Sequence, residues 1–143
     1  MKLVYIAGPF RGPTTWDIAQ NVRAAEALGL DVAKCGYMPV IPHANTALFN
    51  GQCTEQFWLD GTLLLLSRCD ALITLPIWER SSGAKAEVEF AKTHSIPVFH
   101  TLVELGQWYL APYKPASDYN DESKPEKRVS IYSPSYKHSG GGC

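Results

Sequence analysis

The segment CDALITLPIWERSSGAKAEVEFA, residues 69–91, indicates most directly how this chain folds. Residues 70–75 are almost all apolar, which is typical of a strand that is covered on both faces of a parallel sheet. Residues 76–82 then form a loop, and Ser82 is a suitable cap for a following helix. In that helix, apolar residues recur on one face: Ala84, Val88 and Ala91. The segment therefore predicts one strand–loop–helix unit of a parallel sheet.

The same alternation of strand and helix continues on both sides of this segment. Further strands are predicted at residues 2–7, 37–42 and 97–100. Further helices are predicted from Thr15 or Asp17 to Gly29, at 55–67 and at 102–110. This order predicts an α/β fold, a flavodoxin-like (Rossmann-like) parallel sheet of about four to five strands with helices on both faces. We expect one folded domain at 1–111 and a polar, Pro/Ser-rich tail at 112–143 that is extended or partly disordered.

The composition argues against several classes of protein. The 143 residues carry 13 Lys and Arg against 14 Asp and Glu, a net charge of −1, which argues against binding of nucleic acid through a basic surface. The longest apolar stretch, residues 63–66, is too short to cross a bilayer, and Gly8 and Pro9 interrupt any signal-peptide core. The cysteines have no CxxC pair and no zinc-finger spacing. We expect a soluble, cytoplasmic protein with no nucleic-acid partner, no membrane partner and no metal site.

Ligands of parallel α/β sheets bind at the carboxyl ends of the strands. In this chain, those ends lead into three candidate loops: residues 8–15, 43–53 and 76–82. In the first loop, Gly8 and Gly12 allow the backbone to approach a ligand closely, and Arg11 can bind a phosphate or carboxylate through two hydrogen bonds. The alternative is a tight turn with a solvated arginine. The motif is neither a P-loop nor the GxGxxG dinucleotide fingerprint.

The second candidate is SSGAKAEVE, residues 81–89, at the start of the predicted helix. A helix N-terminus favours anions through its free N–H groups and its dipole. Glu87 should therefore stay ionised, as a nucleophile at an acetal carbon must. The alternative is a glutamate that interacts only with the helix dipole. We assign Glu89 to solvent or to a salt bridge.

Three further residues are weaker candidates. Asp70 opens the predicted third strand, where an aspartate can also simply close a turn. His43, with Asn45, lies in the loop after the second strand and can serve a ligand or an ordinary hydrogen bond. Trp78 lies in a loop at the expected ligand edge, where its ring could stack on a base or form part of the core.

Three segments together carry a resemblance to a known family: VYIAGPFRG at 4–12, CDALITL at 69–75 and SSGAKAEVEFA at 81–91. Their order and spacing resemble the nucleoside 2-deoxyribosyltransferase superfamily, including its deoxynucleoside 5′-monophosphate N-glycosidase branch. The resemblance covers about residues 3–100. It implies that residues 1–111 form a catalytic domain, and the tail has no counterpart in it.

The resemblance also implies roles for individual residues. The family's nucleophile lies in a G-x-x-x-E-x-G-x-A stretch, which maps here to Gly83, Glu87 and Ala91, with Glu89 in place of the second glycine. Tyr5 would orient the catalytic carboxylate, and Asp70 would lie in the pocket. Arg11 and Ser81 match positions that hold the 5′-phosphate. The candidate loops and the resemblance together predict these substrate-binding residues: Gly8, Arg11, Gly12, His43, Trp78, Ser81, Ser82 and Gly83.

The activity implied by the resemblance is cleavage of the N-glycosidic bond of 2′-deoxynucleosides or their 5′-monophosphates. A covalent 2-deoxyribosyl–Glu87 intermediate would pass the sugar to a second free base or to water, as in nucleotide salvage, without a cofactor. Arg11 favours a nucleotide substrate. The resemblance further implies a homodimer or a larger homo-oligomer. Two alternatives stay open, a non-catalytic nucleotide-binding or sensing domain and a generic flavodoxin-like domain that binds another small anion.

Overall fold

The computed structural model describes residues 1–49 and 51–108. The predicted tail at 112–143 and residues 109–111 of the predicted domain lie outside this part of the chain. Within it, no helix is both long enough and apolar enough to span a membrane.

Four parallel strands form one sheet in the order β2-β1-β3-β4. The strands are β1 (Leu3–Ala7), β2 (Met38–Val40), β3 (Ala71–Thr74) and β4 (Val98–Phe99). The helices are α1 (Thr15–Lys34), α2 (Pro42–Asn45), α3 (Glu55–Leu66), α4 (Ser82–Thr93) and α5 (Leu102–Trp108), with 3-10 turns at Ala47–Phe49 and Trp78–Arg80. This is the predicted α/β fold of the flavodoxin-like type, with the strand order reversing between β1 and β3.

The two faces of the sheet are covered by different helices. Successive strand residues point to opposite faces, so Val4 and Ile6 of β1 pack with residues of α1 and α5. Tyr5 and Ala7 point the other way and pack with residues of α3 and α4. The side chains of β1 and β3 that belong to the candidate site all point to this second face.

Helix α1 differs from the prediction at both ends. Thr14 is its cap, because the Thr14 hydroxyl accepts a hydrogen bond from the Asp17 N–H while the Asp17 carboxylate accepts one from the Thr14 N–H. The prediction that Gly29 ends the helix is wrong. Gly29 is buried inside α1, and a Cβ there would lie 2.4 Å from Ile41 Cδ1. The glycine therefore allows close packing of α1 on the chain after β2.

The predicted second strand at 37–42 is shorter than expected, because Pro42 begins α2 instead of ending β2. Proline suits the first turn of a helix, where its missing N–H costs no hydrogen bond. His43 and Asn45, which were predicted to lie in a loop, are therefore helical. The change holds His43 close to the carboxyl ends of the strands.

Gly8, directly after β1, is a position where we expect any side chain to destabilise the fold. It is buried, and a Cβ would lie 2.5 Å from Leu75 Cδ1 and 2.8 Å from Leu75 Cβ. Overpacking of this kind should lower the free energy of unfolding of Gly8→Ala by about 1–3 kcal/mol, measured by urea denaturation.

Gly61→Ala is the matched control for this substitution. Gly61 lies in α3 with no atom within 4 Å of an added Cβ, so helix propensity alone should raise the free energy of unfolding by up to about 1 kcal/mol. A Gly8→Ala variant as stable as the wild type would show that the Leu75 side chain moves aside at little energetic cost.

Candidate active site

The centre of the candidate site is a buried hydrogen bond between Tyr5 and Glu87. The Tyr5 hydroxyl donates to Glu87 Oε1 over 2.6 Å, although the residues are 82 positions apart in the chain. Tyr5 is completely buried, and Glu87 is 8% exposed. Strand β1 and helix α4 thus place a phenol and a carboxyl group in direct contact.

Burial controls the ionisation of both partners. It raises the pKa of Glu87 from its ordinary 4.5 to about 7, even though hydrogen bonds with Tyr5 and Thr62 favour the ionised form. Burial, and then the charge of Glu87, raise the pKa of Tyr5, so the phenol keeps its proton. Burial therefore works against the sequence-based expectation that Glu87 stays ionised. Glu87 is the sixth residue of α4, beyond the first turn in which the helix dipole is effective.

The start of α4 contains Ser81, which was predicted to hold the phosphate, and Ser82, which was predicted to bind substrate. Ser81, rather than the predicted Ser82, caps the helix by accepting a hydrogen bond from the Ala84 N–H at 3.2 Å. Ser82 is exposed. A Cβ at Gly83 would meet only Ser81 Oγ, at 3.8 Å, so Gly83 does not relieve a close contact here. The N–H groups of Ser82 and Gly83, which have no partner within the helix, remain available to an anion.

The loop after β1 is tied to α1, and Arg11 is paired. The Asn21 side chain donates to the carbonyl oxygens of Phe10 and Arg11, at 3.1 and 3.0 Å. The exposed Arg11 guanidinium forms an ion pair with Glu55, at the start of α3. At Gly12, a Cβ would collide with Asp17 Cβ. An anion that binds Arg11 must therefore compete with Glu55.

His43 bridges the ends of β1 and β2. Its Nε2 lies 3.1 Å from the Gly8 carbonyl oxygen, which can only accept, so Nε2 carries the proton. The other ring nitrogen, Nδ1, is buried and has no hydrogen-bond partner within the described residues. Burial lowers the pKa of His43, and backbone hydrogen bonds to Gly8 and Pro9 partly oppose this. The neutral ring thus connects the loops at this edge of the sheet.

Trp78 lies beside an open cavity of about 250 Å³ at the carboxyl ends of β3 and β4. Its indole stacks on the His100 ring, with centroids 5.6 Å apart and planes 14° apart. His100 Nδ1 is in turn 2.9 Å from Thr74 Oγ1. Trp78 also packs against the core cluster that contains Tyr5. Glu87 is not among the residues that line this cavity, so the Tyr5–Glu87 pair and the open cavity are distinct features of one sheet face.

Asp70 is not part of this constellation. It precedes β3, at the amino edge of the sheet, where its carboxylate accepts a 2.7 Å hydrogen bond from the Leu3 N–H and contacts Lys2 Nζ at 3.3 Å. The Leu3 N–H, more than Lys2, lowers the pKa of Asp70. The structure therefore corrects the expectation that Asp70 lies in the pocket, since ligands of such sheets bind at the opposite edge.

Sequence reasoning missed three residues that contact predicted ones, Glu55, Thr62 and His100, and a fourth, Thr74, that contacts His100. His100 follows β4 just as His43 follows β2, so its place at a carboxyl end was a usable signal. Thr74 is polar at the end of an apolar strand, which was a second signal. Nothing in the local sequence indicates the pairing of Glu55 with Arg11 or the approach of Thr62 to Glu87.

The fold and the site define an α/β protein with a buried tyrosine–glutamate pair under one face of a parallel sheet. The chain belongs to a family described as a domain of unknown function (DUF7768), whose model matches residues 2–101. That range includes all four strands and both members of the Tyr5–Glu87 pair. No curated protein matches the chain.

The burial of Glu87 has a measurable effect on folding. A carboxyl group whose pKa rises from 4.5 to about 7 on folding stabilises the native state most below pH 4.5, and this contribution is lost as pH rises to about 7. Glu87→Gln keeps the shape and an acceptor for Tyr5 but has no charge. Its stability relative to the wild type should therefore increase by on the order of 2–3 kcal/mol between pH 4.5 and 8, measured by urea denaturation across this range.

Glu89→Gln is the control, because Glu89 is exposed on the same helix. It should follow the wild type at every pH. Parallel curves for Glu87→Gln and the wild type would mean that Glu87 is not desolvated.

Proposed function

We propose that this chain is an enzyme that cleaves the N-glycosidic bond of 2′-deoxynucleosides, preferably as their 5′-monophosphates, through a covalent 2-deoxyribosyl–Glu87 intermediate. The hydrogen-bonded Tyr5–Glu87 pair is the observation that carries this proposal. A carboxylate with little solvent around it and a fixed donor in Tyr5 is suited to attack an acetal carbon. The resemblance of the segments around Tyr5 and Glu87 to deoxyribosyltransferases supports the same assignment.

In the proposed reaction, Glu87 attacks C1′ of the sugar. The new C1′–O bond forms as the C1′–N bond breaks, and the bonding electron pair leaves with the base, through a transition state with oxocarbenium character. Lack of a 2′-hydroxyl lowers the cost of positive charge at C1′, which favours deoxy substrates. A second base or water then attacks C1′, releases Glu87 and gives transfer or hydrolysis. No cofactor takes part in these steps.

Tyr5 acts on Glu87 in two ways in this mechanism. Its hydrogen bond fixes one carboxylate oxygen, which directs the other oxygen to the substrate. The same bond lowers the pKa of Glu87 and so opposes the effect of burial. The enzyme therefore keeps an ionised fraction of Glu87 near neutral pH while excluding water around it.

The departing base must gain a proton. Asp70, which the resemblance places in the pocket, is unsuitable as the donor, because it lies at the amino edge of the sheet and is hydrogen-bonded to Leu3. We assign this proton to solvent.

The preference for a monophosphate rests on two anion-binding features near the strand ends. One is Arg11, whose guanidinium is exposed and held by a carboxylate in the free protein. The other is the start of α4 at Ser81 and Ser82. A phosphate would displace the Glu55 carboxylate from Arg11 and form charge-assisted hydrogen bonds with the guanidinium. We assign the activity to the cytoplasmic salvage of deoxynucleotides.

One observation favours a second candidate, a nucleotide-binding domain without turnover. The open cavity beside Trp78 does not include Glu87, and a protonated Glu87 is not a nucleophile. Such a domain would bind a deoxynucleotide and leave it intact.

Substitution of Glu87 separates the two candidates. A panel of deoxynucleosides and 5′-monophosphates, each with and without a second free base, is followed by HPLC. We expect Glu87→Ala to reduce base release by about a thousandfold or more, while Glu89→Ala, two positions along the same helix, keeps wild-type rates. Full turnover in Glu87→Ala rejects the covalent mechanism. An inactive wild type that still binds monophosphates favours the binding domain.

Arg11 is expected to determine the preference for phosphate. Arg11→Ala should raise KM for monophosphates on the order of tenfold or more and leave KM for the matching nucleosides unchanged. Glu55→Gln, which frees Arg11 from its ion pair, should lower KM for monophosphates by a small factor, since exposed ion pairs contribute little. Equal effects of Arg11→Ala on nucleosides and monophosphates would exclude a phosphate contact.

A further inference from the structure

An open cavity lies at the carboxyl ends of β3 and β4, lined by the loop after β3 and by His100. Its volume of about 250 Å³ is just below the roughly 300–1,000 Å³ that is typical of sites for drug-sized molecules. The cavity is therefore suited to one small ring system. Because it is open on one side, such a ligand can enter without a change of fold.

An aromatic wall is the main feature of this cavity. Trp78 and His100 are stacked, and the Thr74 hydroxyl engages His100 Nδ1 at 2.9 Å. His100 Nε2 is thus the ring atom left to meet a ligand. Ile77, also in the lining, has a φ of 59°. A β-branched residue rarely adopts this left-handed conformation, and such strain is concentrated at ligand sites.

Charge at the rim adds a chemical preference. Glu79 is exposed and lines the cavity next to Trp78. An ionised carboxylate only accepts hydrogen bonds, so it favours a ring that presents an amino group over one that presents a carbonyl oxygen at the same place.

We propose that this cavity binds a planar nitrogen heterocycle, stacked on Trp78, with Glu79 accepting a hydrogen bond from an amino group of the ring. The identification of this ring as the nucleobase that is released or accepted rests on the proposed function. The cavity then selects amino-bearing bases over their oxo counterparts. Stacking of a base on an aromatic side chain gives affinity for any base, and Glu79 gives the choice between them.

Cytosine and uracil are the sharpest pair of probes, because cytosine has an amino group at C4 and an unprotonated N3, where uracil has a carbonyl oxygen at C4 and an N3–H. Each free base is titrated into the intact protein and followed by ¹H–¹⁵N NMR of the four tryptophan indoles: Trp16, Trp58, Trp78 and Trp108. We expect the Trp78 resonance to shift with saturation, more tightly for cytosine, while Trp16 on α1 stays unchanged. No saturable shift of Trp78 with either base overturns the proposal.

Two substitutions test the two contacts separately. Trp78→Leu should weaken cytosine binding roughly tenfold, followed through the remaining resonances that shift, and Trp78→Phe should retain most of the affinity. Glu79→Gln should bring cytosine and uracil to nearly equal affinity without loss of uracil binding. Equal loss in Trp78→Phe and Trp78→Leu contradicts stacking, and an unchanged preference in Glu79→Gln contradicts the amino contact.

Glu87→Ala distinguishes this proposal from the proposed function. It should bind cytosine like the wild type, since Glu87 does not line the cavity, while it loses base release. Binding of cytosine by a wild type that cleaves nothing supports the cavity and rejects the enzyme. If the wild type turns over substrate but its Trp78 resonance does not shift on addition of free base, the proposed base-binding site is rejected and the proposed enzyme activity stands.

Discussion

The hydrogen bond from the Tyr5 hydroxyl to Glu87 is the constraint around which this side of the molecule is arranged. A carboxyl group between a sheet and two helices loses most of its hydration, and this loss must be offset by polar partners. Tyr5 provides one at 2.6 Å, and Thr62 contributes from α3. The part of the desolvation free energy that these partners do not offset raises the pKa of Glu87. Such shifts are common where a carboxyl group has a chemical task.

The parallel sheet brings the other candidate residues to one edge. Gly8, His43 and His100 each follow a strand, and Thr74 ends one. His43 links the first two loops through the Gly8 carbonyl, and Trp78 joins the loop after β3 to His100. Loops that are connected in this way hold their side chains in place more firmly than isolated surface turns, which suits a site that must position a small ligand.

The sequence predicted the sheet well and the site in part. Apolar runs and helical spacing identify each strand and each longer helix, because burial on both faces leaves a strong pattern. The ends of elements were harder to predict. Gly29 resembles a helix stop, but its packing against Ile41 is a tertiary contact that no local pattern reveals. Likewise, Pro42 resembles the end of a strand and is the start of a helix.

As with the fold, local sequence patterns predict some features of the site, whereas features that depend on tertiary contacts are not predicted. Tyr5 and Glu87 were predicted to act together, and they are in contact. The burial that opposes ionisation of Glu87 was not predicted, because the position of a glutamate near a helix start is visible in sequence while its desolvation is not. Asp70 was misplaced because its pocket role was implied by the resemblance alone, whereas a residue that opens a strand of a parallel sheet lies at the amino edge, away from the ligand.

The short outer strands of the sheet have a consequence for the behaviour of the protein at high concentration. β2 has three residues and β4 has two, and β2 contains Pro39, which has no N–H to donate. An open sheet normally offers unpaired backbone groups at its edges as a template for another chain. Here the described edges offer few such groups, and proline interrupts one of them. The described edges of the sheet therefore give another copy of the chain few backbone groups with which to pair.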